Sequence, residues 1–183
     1  MLTRSHIVYI IQKIVRSTHN YLDIVWAIQA FNKAFEIKPN RPLYVKLIAE
    51  ETYEFVEELV LGGVGPELLK ELSDILYVLE GLLDMIEDEE LPDDIDQDEL
   101  QQVLDTVNRL VVPVAMEYFT PKEVIRGFLE THKSNMSKLD GNGNVLRRED
   151  GKVMKSDLYK PADLSDIFSP YMFLENEERY LKG

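Results

Sequence analysis

LIAEETYEFVEEL, residues 47–59, carries five glutamates and no lysine or arginine. Its apolar residues recur at helical spacing, so the stretch reads as a core helix loaded with uncompensated negative charge. At about 100° per residue, Leu43, Tyr44, Leu47, Ile48, Phe55 and Leu59 share one face of a helix over 43–61. Glu51 and Glu54 fall inside that apolar arc, and Glu50 lies at its edge. The following segment repeats the pattern: Leu68, Leu72, Ile75, Val78, Leu79 and Leu82 make a face, with Glu71 inside it and Asp74 on its border.

A carboxylate set among leucines is costly unless it is paired, coordinated or protonated. The usual partner is a basic side chain three or four residues away. Residues 47–61 offer none, and 66–87 offer only Lys70. The reading therefore expects a cation from outside these helices to complete the site. Carboxylates without Cys or His suit a hard ion with oxygen ligands, Mg²⁺ first and Mn²⁺ as a substitute. A di-iron bundle needs Glu-x-x-His pairs, and none of His6, His19 and His132 stands three residues after a Glu. DGNGN at 140–144 is no calcium loop: Val145 holds the position that needs Gly, and Gly151 the one that needs Glu. It reads as a turn.

Outward from this pair the chain reads as helix for most of its 183 residues. SHIVYIIQKIVRS (5–17) and NYLDIVWAIQAFNKAFE (20–36) precede it. Pro42 starts the glutamate helix, Gly62 and Gly63 stop it, and Pro66 opens the next. EDEELPDDIDQDE (87–99) reads as a solvated acidic loop. ELQQVLDTVNRLVVPVAMEYF (99–119) contains Pro113, which should kink or end it. TPKEVIRGFLETHKSNMSK (120–138) opens on a capping box, Thr120 with Glu123. Beyond Lys138, Gly, Asn and Asp with two turn signals predict a short hairpin or flap. The tail from Ser169 is expected to hold one short helix. The fold class is thus all-α, an antiparallel bundle over 1–138 with a flap and tail over 139–183 of the same domain.

The net charge of −14 argues against nucleic acid polymers and anionic membranes as partners, since both need a basic footprint. The chain has no cysteine, which fits a reducing cytoplasm. The first 17 residues lack a long apolar region and a small-residue cleavage site, and no run of about 18 apolar residues occurs. A cytoplasmic location is the expectation. Lys133, Lys138, Lys152, Lys155, Arg147 and Arg148 form the one basic stretch, suited to closing on phosphate oxygens. Trp26, Phe31 and Phe35 could stack a base, though aromatics at helical spacing are more often core.

Glu50-Glu51-x-x-Glu54, a gap of sixteen residues and then Glu71-x-x-Asp74 resemble the signature of the all-α nucleoside triphosphate pyrophosphatases. That group includes the MazG-like proteins, the dimeric dUTPases and phosphoribosyl-ATP pyrophosphohydrolase. The resemblance runs from about Trp26 to Leu164, with AFNKAFEIKPNRP before the first motif and SNMSKLDGNGNVLRREDGKVMK after the bundle. The region around ELPDDIDQDELQQV is less typical.

The resemblance implies that Glu51, Glu54, Glu71 and Asp74 hold Mg²⁺ and that Glu50 orients or deprotonates the attacking water. It also implies that Asn135 and Lys138 bind phosphates. Gln29 and Asn32 match the spacing of a base-reading pair in the dimeric dUTPases, which favours a pyrimidine deoxynucleotide such as dUTP or dCTP. The expected reaction cleaves a nucleoside triphosphate between the α- and β-phosphates, in a homodimer or homotetramer. Phosphoribosyl-ATP hydrolysis is the alternative within the enzyme class. A non-catalytic helical interaction protein with a structural divalent ion is the alternative outside it.

Overall fold

The computed structural model describes residues 2–63 and 65–167. The described chain is helical, in the order α1 (Arg4–Val15), α2 (Thr18–Ala34), α3 (Arg41–Val60), α4 (Pro66–Leu83), α5 (Gln97–Thr106), a π-helical turn (Val107–Val111), α6 (Val112–Tyr118), α7 (Pro121–Met136) and a short 3₁₀ turn (Ser165–Ile167). No helix among the described residues is long and apolar enough to cross a membrane. The tail from Ser169, where a short helix was expected, lies outside the described residues.

Local chemistry sets the helix ends. Ser17 accepts from the Asn20 amide at the start of α2, and Asn40 accepts from the Leu43 amide at the start of α3. These bonds satisfy amides that a helix start leaves without partners. Gly65 caps α4 at φ 82°, where an L side chain would be strained, and Pro66 follows. Thr120 and Glu123 make the expected reciprocal capping box on α7.

Pro113 does not end its helix. The Val112 amide reaches back to the Val107 carbonyl, five residues away, and the π turn just before the proline lets the helix run on to Tyr118. A π turn widens the backbone where the pyrrolidine ring would otherwise meet the preceding turn.

α4 is the centre of the bundle. It packs against α1, α2, α3 and α7. Leu68, Leu69, Leu72, Ser73, Ile75, Leu76, Leu79 and Leu82 are fully buried, so the helix is covered on more than the single face its periodicity marks. Two glycines permit close approach. A Cβ on Gly81 would stand 2.3 Å from the Tyr44 ring of α3, and one on Gly127 would stand 2.7 Å from Leu69, drawing α7 onto α4.

The acidic loop is tied down more than solvation alone requires. Leu91 and Ile95 are buried, the Arg4 amide donates to the Glu89 carbonyl, and Arg41 pairs with Asp94 at 2.8 Å. After Lys138 the chain forms no strand among the described residues, only one antiparallel bridge between Arg147 and Val153. The Arg148 amide donates to Lys152 and the Met154 amide to Leu146, which closes a turn over 148–151. DGNGN is the turn its sequence predicts: Asp140 Oδ1 accepts from the Asn142 and Asn144 amides.

Candidate metal centre and adjoining cavity

Side by side, α3 and α4 carry Glu51, Glu71 and Asp74 to one place. Each offers a carboxylate oxygen, and the three oxygens lie within 4.8 Å of one another, a spacing that could hold a metal ion. Their side chains are 13%, 13% and 19% exposed. The Oε2 of Glu71 is buried with no hydrogen-bond partner among the described residues. An oxygen-only donor set with one lone carboxylate oxygen fits a hard divalent ion better than a soft one.

Glu54 departs from the sequence reading. It is exposed and contributes no atom to the three-carboxylate cluster, whereas Thr52 is buried. Its direction on the helix is close to that of Leu43 and Leu47, which line the cavity described below. Those residues are covered by the loop before α3 and by the turn at Gly151. About two turns past Leu47 the same direction is open, and Glu54 is exposed there. Glu54 still acts at a distance, since its charge contributes to raising both Glu51 and Glu71.

Part of the charge expected from outside these helices comes from the chain itself, and Lys70, the one basic residue within 47–61 and 66–87, is engaged. Lys70 reaches Glu71 at 2.8 Å and Asp74 at 3.0 Å. Lys152, 102 positions from Glu50, donates to Glu50 Oε2 at 2.7 Å and stands 3.8 Å from Glu51. Arg148 lies 3.6 Å from Glu50. Sequence spacing along α3 could not reveal partners delivered by a turn from the far end of the chain.

The electrostatics follow from burial and crowding. Burial, then the charges of Asp74 and Glu54, push the Glu51 carboxyl up to about 7 against the opposing lysines 152 and 70. Burial also raises Glu71, although Lys70 opposes it. Glu50 moves the other way, held down chiefly by its hydrogen bond from Lys152. Burial pulls the Lys70 ammonium down, but Asp74 and Glu71 outweigh it and leave the group raised.

A cavity of about 550 Å³ adjoins the carboxylates. Glu51, Asp74, Asn135, Lys138, Arg147 and Lys152 are among its polar lining, and Phe31, Leu43, Tyr44, Leu47, Tyr77 and Val78 supply apolar wall. Asn135 is buried on α7. Burial lowers the Lys138 ammonium, with Asp74 and Glu51 pulling it back up. Phe31 stacks on Phe35 with ring centres 4.2 Å apart and meets Tyr77 edge-on at 5.3 Å. The Tyr77 hydroxyl and His132 Nδ1 share a hydrogen bond of 3.1 Å. Of the aromatics singled out by sequence, Phe31 and Phe35 are buried, while Trp26 is 70% exposed.

The remaining sequence candidates do not join this group. Gln29 is exposed. Asn32 donates to Asp84 at 2.7 Å and borders a second, more acidic cavity with Arg41 and Asp84. Sequence reasoning passed over Tyr44 and Tyr77 as site residues. It also missed Glu80, which is 4% exposed in α4. The signal for Glu80 was available, a lone acid inside the apolar run LYVLEGLL, but it lies about 180° from Glu71, on a face assumed to be outside.

Comparison of the chain with protein-family models, with curated proteins and with solved structures found no match.

Proposed function

We propose that the protein is a Mg²⁺-dependent nucleoside triphosphate pyrophosphohydrolase that releases pyrophosphate and a nucleoside monophosphate, built on the all-α pyrophosphatase bundle. One observation carries the reading: Glu51, Glu71 and Asp74 converge from adjacent helices, and Glu51 and Asp74 also border a cavity lined by lysines and aromatic rings. Carboxylates that could hold a cation, beside lysines and apolar wall, suit a molecule that carries both phosphates and a base.

Glu51, Glu71 and Asp74 would hold the metal, with Glu54 joining from the open side. A divalent ion bound there neutralises phosphate charge and acidifies a water molecule. Lys138 and Asn135 would bind phosphate oxygens, and Glu50, once free of Lys152, would orient the water and accept its proton. Phe31 and Tyr77 exclude solvent around the base. Gln29 and Asn32, apart from this cavity, become base readers only if a second subunit brings them in. A homodimer or homotetramer is therefore part of the proposal. The preference for dUTP or dCTP and the cytoplasmic setting belong to it as well.

A panel of nucleoside triphosphates with Mg²⁺, with phosphate and pyrophosphate quantified separately, tests it. The expected result is pyrophosphate without free phosphate, fastest on a pyrimidine deoxynucleotide. A phosphoribosyl-ATP preference would move the enzyme to that reaction.

The ion pairs of Lys70 and Lys152 favour a second reading, in which the acids are structural and no reaction occurs. No pyrophosphate from any nucleotide, with Mg²⁺ or Mn²⁺ present, would select it.

A further inference from the structure

Besides the Arg148–Glu50 pair at 3.6 Å, the turn over residues 147–153 is fastened at three points. Lys152 donates to Glu50 at 2.7 Å and lies 3.8 Å from Glu51. Asn40 donates to the Asp150 carbonyl at 3.2 Å, and the Arg147 guanidinium donates to the Phe35 carbonyl. Arg147, Gly151, Lys152 and Val153 all border the cavity, so the turn is one of its walls. Two of the fastenings are neutral or backbone contacts. The third is electrostatic and lands on the carboxylate cluster itself.

That third contact sets up a competition. Lys152 shares Glu51 with the oxygen cluster that could hold a divalent ion. An ammonium and a divalent ion a few ångströms apart repel, and the ion binds the same carboxylates more strongly. Lys70 can also be displaced, but it sits on α4 beside its partners and is 43% exposed, so it can swing into solvent without moving backbone. Lys152 is 29% exposed, and its ion pairs tie the turn that carries it to α3.

Resting on the metal reading above, we infer that Lys152 is an intramolecular competitor for the divalent ion, a latch whose exchange for metal releases the 147–153 turn and opens the cavity to substrate. The cation and the lid are thereby linked: loading one unfastens the other.

Mn²⁺ binding by the full chain, followed by calorimetry without nucleotide, tests the first half. Lys152→Met should bind Mn²⁺ roughly 5-fold more tightly than the wild type, the scale of one partly exposed ion pair. Lys155→Met, which loses a contact with the Tyr159 ring and a repulsion toward Lys138 but no ion pair with the three carboxylates, should bind within about 2-fold of the wild type. Hydrogen exchange tests the second half. Mn²⁺ should speed exchange at the Arg148, Gly151 and Met154 amides of the wild type and change it little in Lys152→Met. Unchanged affinity in Lys152→Met, or Mn²⁺ that leaves those amides equally or better protected in the wild type, overturns the latch while leaving the metal reading standing. No Mn²⁺ binding by either protein overturns both.

Discussion

The two halves of α4 each carry a buried acid, yet the acids live in different chemistry. Near its start, Glu71 and Asp74 meet Glu51 of α3, and Asp74 borders the cavity; Glu71 and Glu80 alike keep one buried oxygen without a hydrogen-bond partner among the described residues. Nearer its end, Glu80 turns the other way and is sealed beneath α1 and α2. There Tyr21 hydrogen-bonds it and Arg4 supplies opposing charge. Burial pushes both Glu51 and Glu80 up to about 7. A raised carboxyl therefore does not by itself mark a site. What separates the two ends is convergence: three acids within reach of one ion, two of them bordering a cavity, against one acid beside a phenol and a guanidinium.

Substitutions at the two ends should separate in kind as well as in size. Glu71→Gln should lower pyrophosphate release by about 100- to 1,000-fold, since a metal ligand costs more than a residue supporting one. It should leave the fold intact or firmer, because it removes one of several crowded negative charges. Turnover near that of the wild type would mean that the open end is no different from the sealed one. Leu76→Ala, in the fully buried middle of α4, should cost about 3 kcal/mol of stability in denaturant unfolding. Activity per folded molecule should survive that change.

Glu80→Gln should act on stability alone, and with a defined pH dependence. The carboxyl ionises near pH 4.5 when unfolded and near about 7 when folded, so between those values the folded chain holds more protons. Stability from this group accordingly falls as pH rises through that window. The variant should match the wild type at pH 4.5 and exceed it by roughly 2 kcal/mol at pH 8, a figure reduced for relaxation around the site. Equal stability at both pH values would show that Tyr21 and Arg4 fully offset the buried charge.

The sequence made much of this arrangement legible, and the failures have a common cause. Caps and stops are local, so Thr120 with Glu123 and Pro66 after Gly65 could be read directly. The inward phase of Glu51, Glu71 and Asp74 was legible because each lies among leucines on its own helix. What covers a helix at each turn is not local. Glu54 shares the direction of Leu43 and Leu47 but extends past the residues that cover them. Glu80 lies off the one buried face that periodicity assigns to a helix, and α4 is surrounded. Lys152 could be named as basic, but nothing in its neighbours says that it meets Glu50 across 102 positions.

Anomalous scattering from crystals grown in Mn²⁺ tests the central claim most directly. The account predicts a peak bonded to oxygens of Glu51, Glu71 and Asp74, with the Lys152 ammonium moved away from Glu51. Ordered Mn²⁺ elsewhere, with those three carboxylates held only by Lys70 and Lys152, would contradict it.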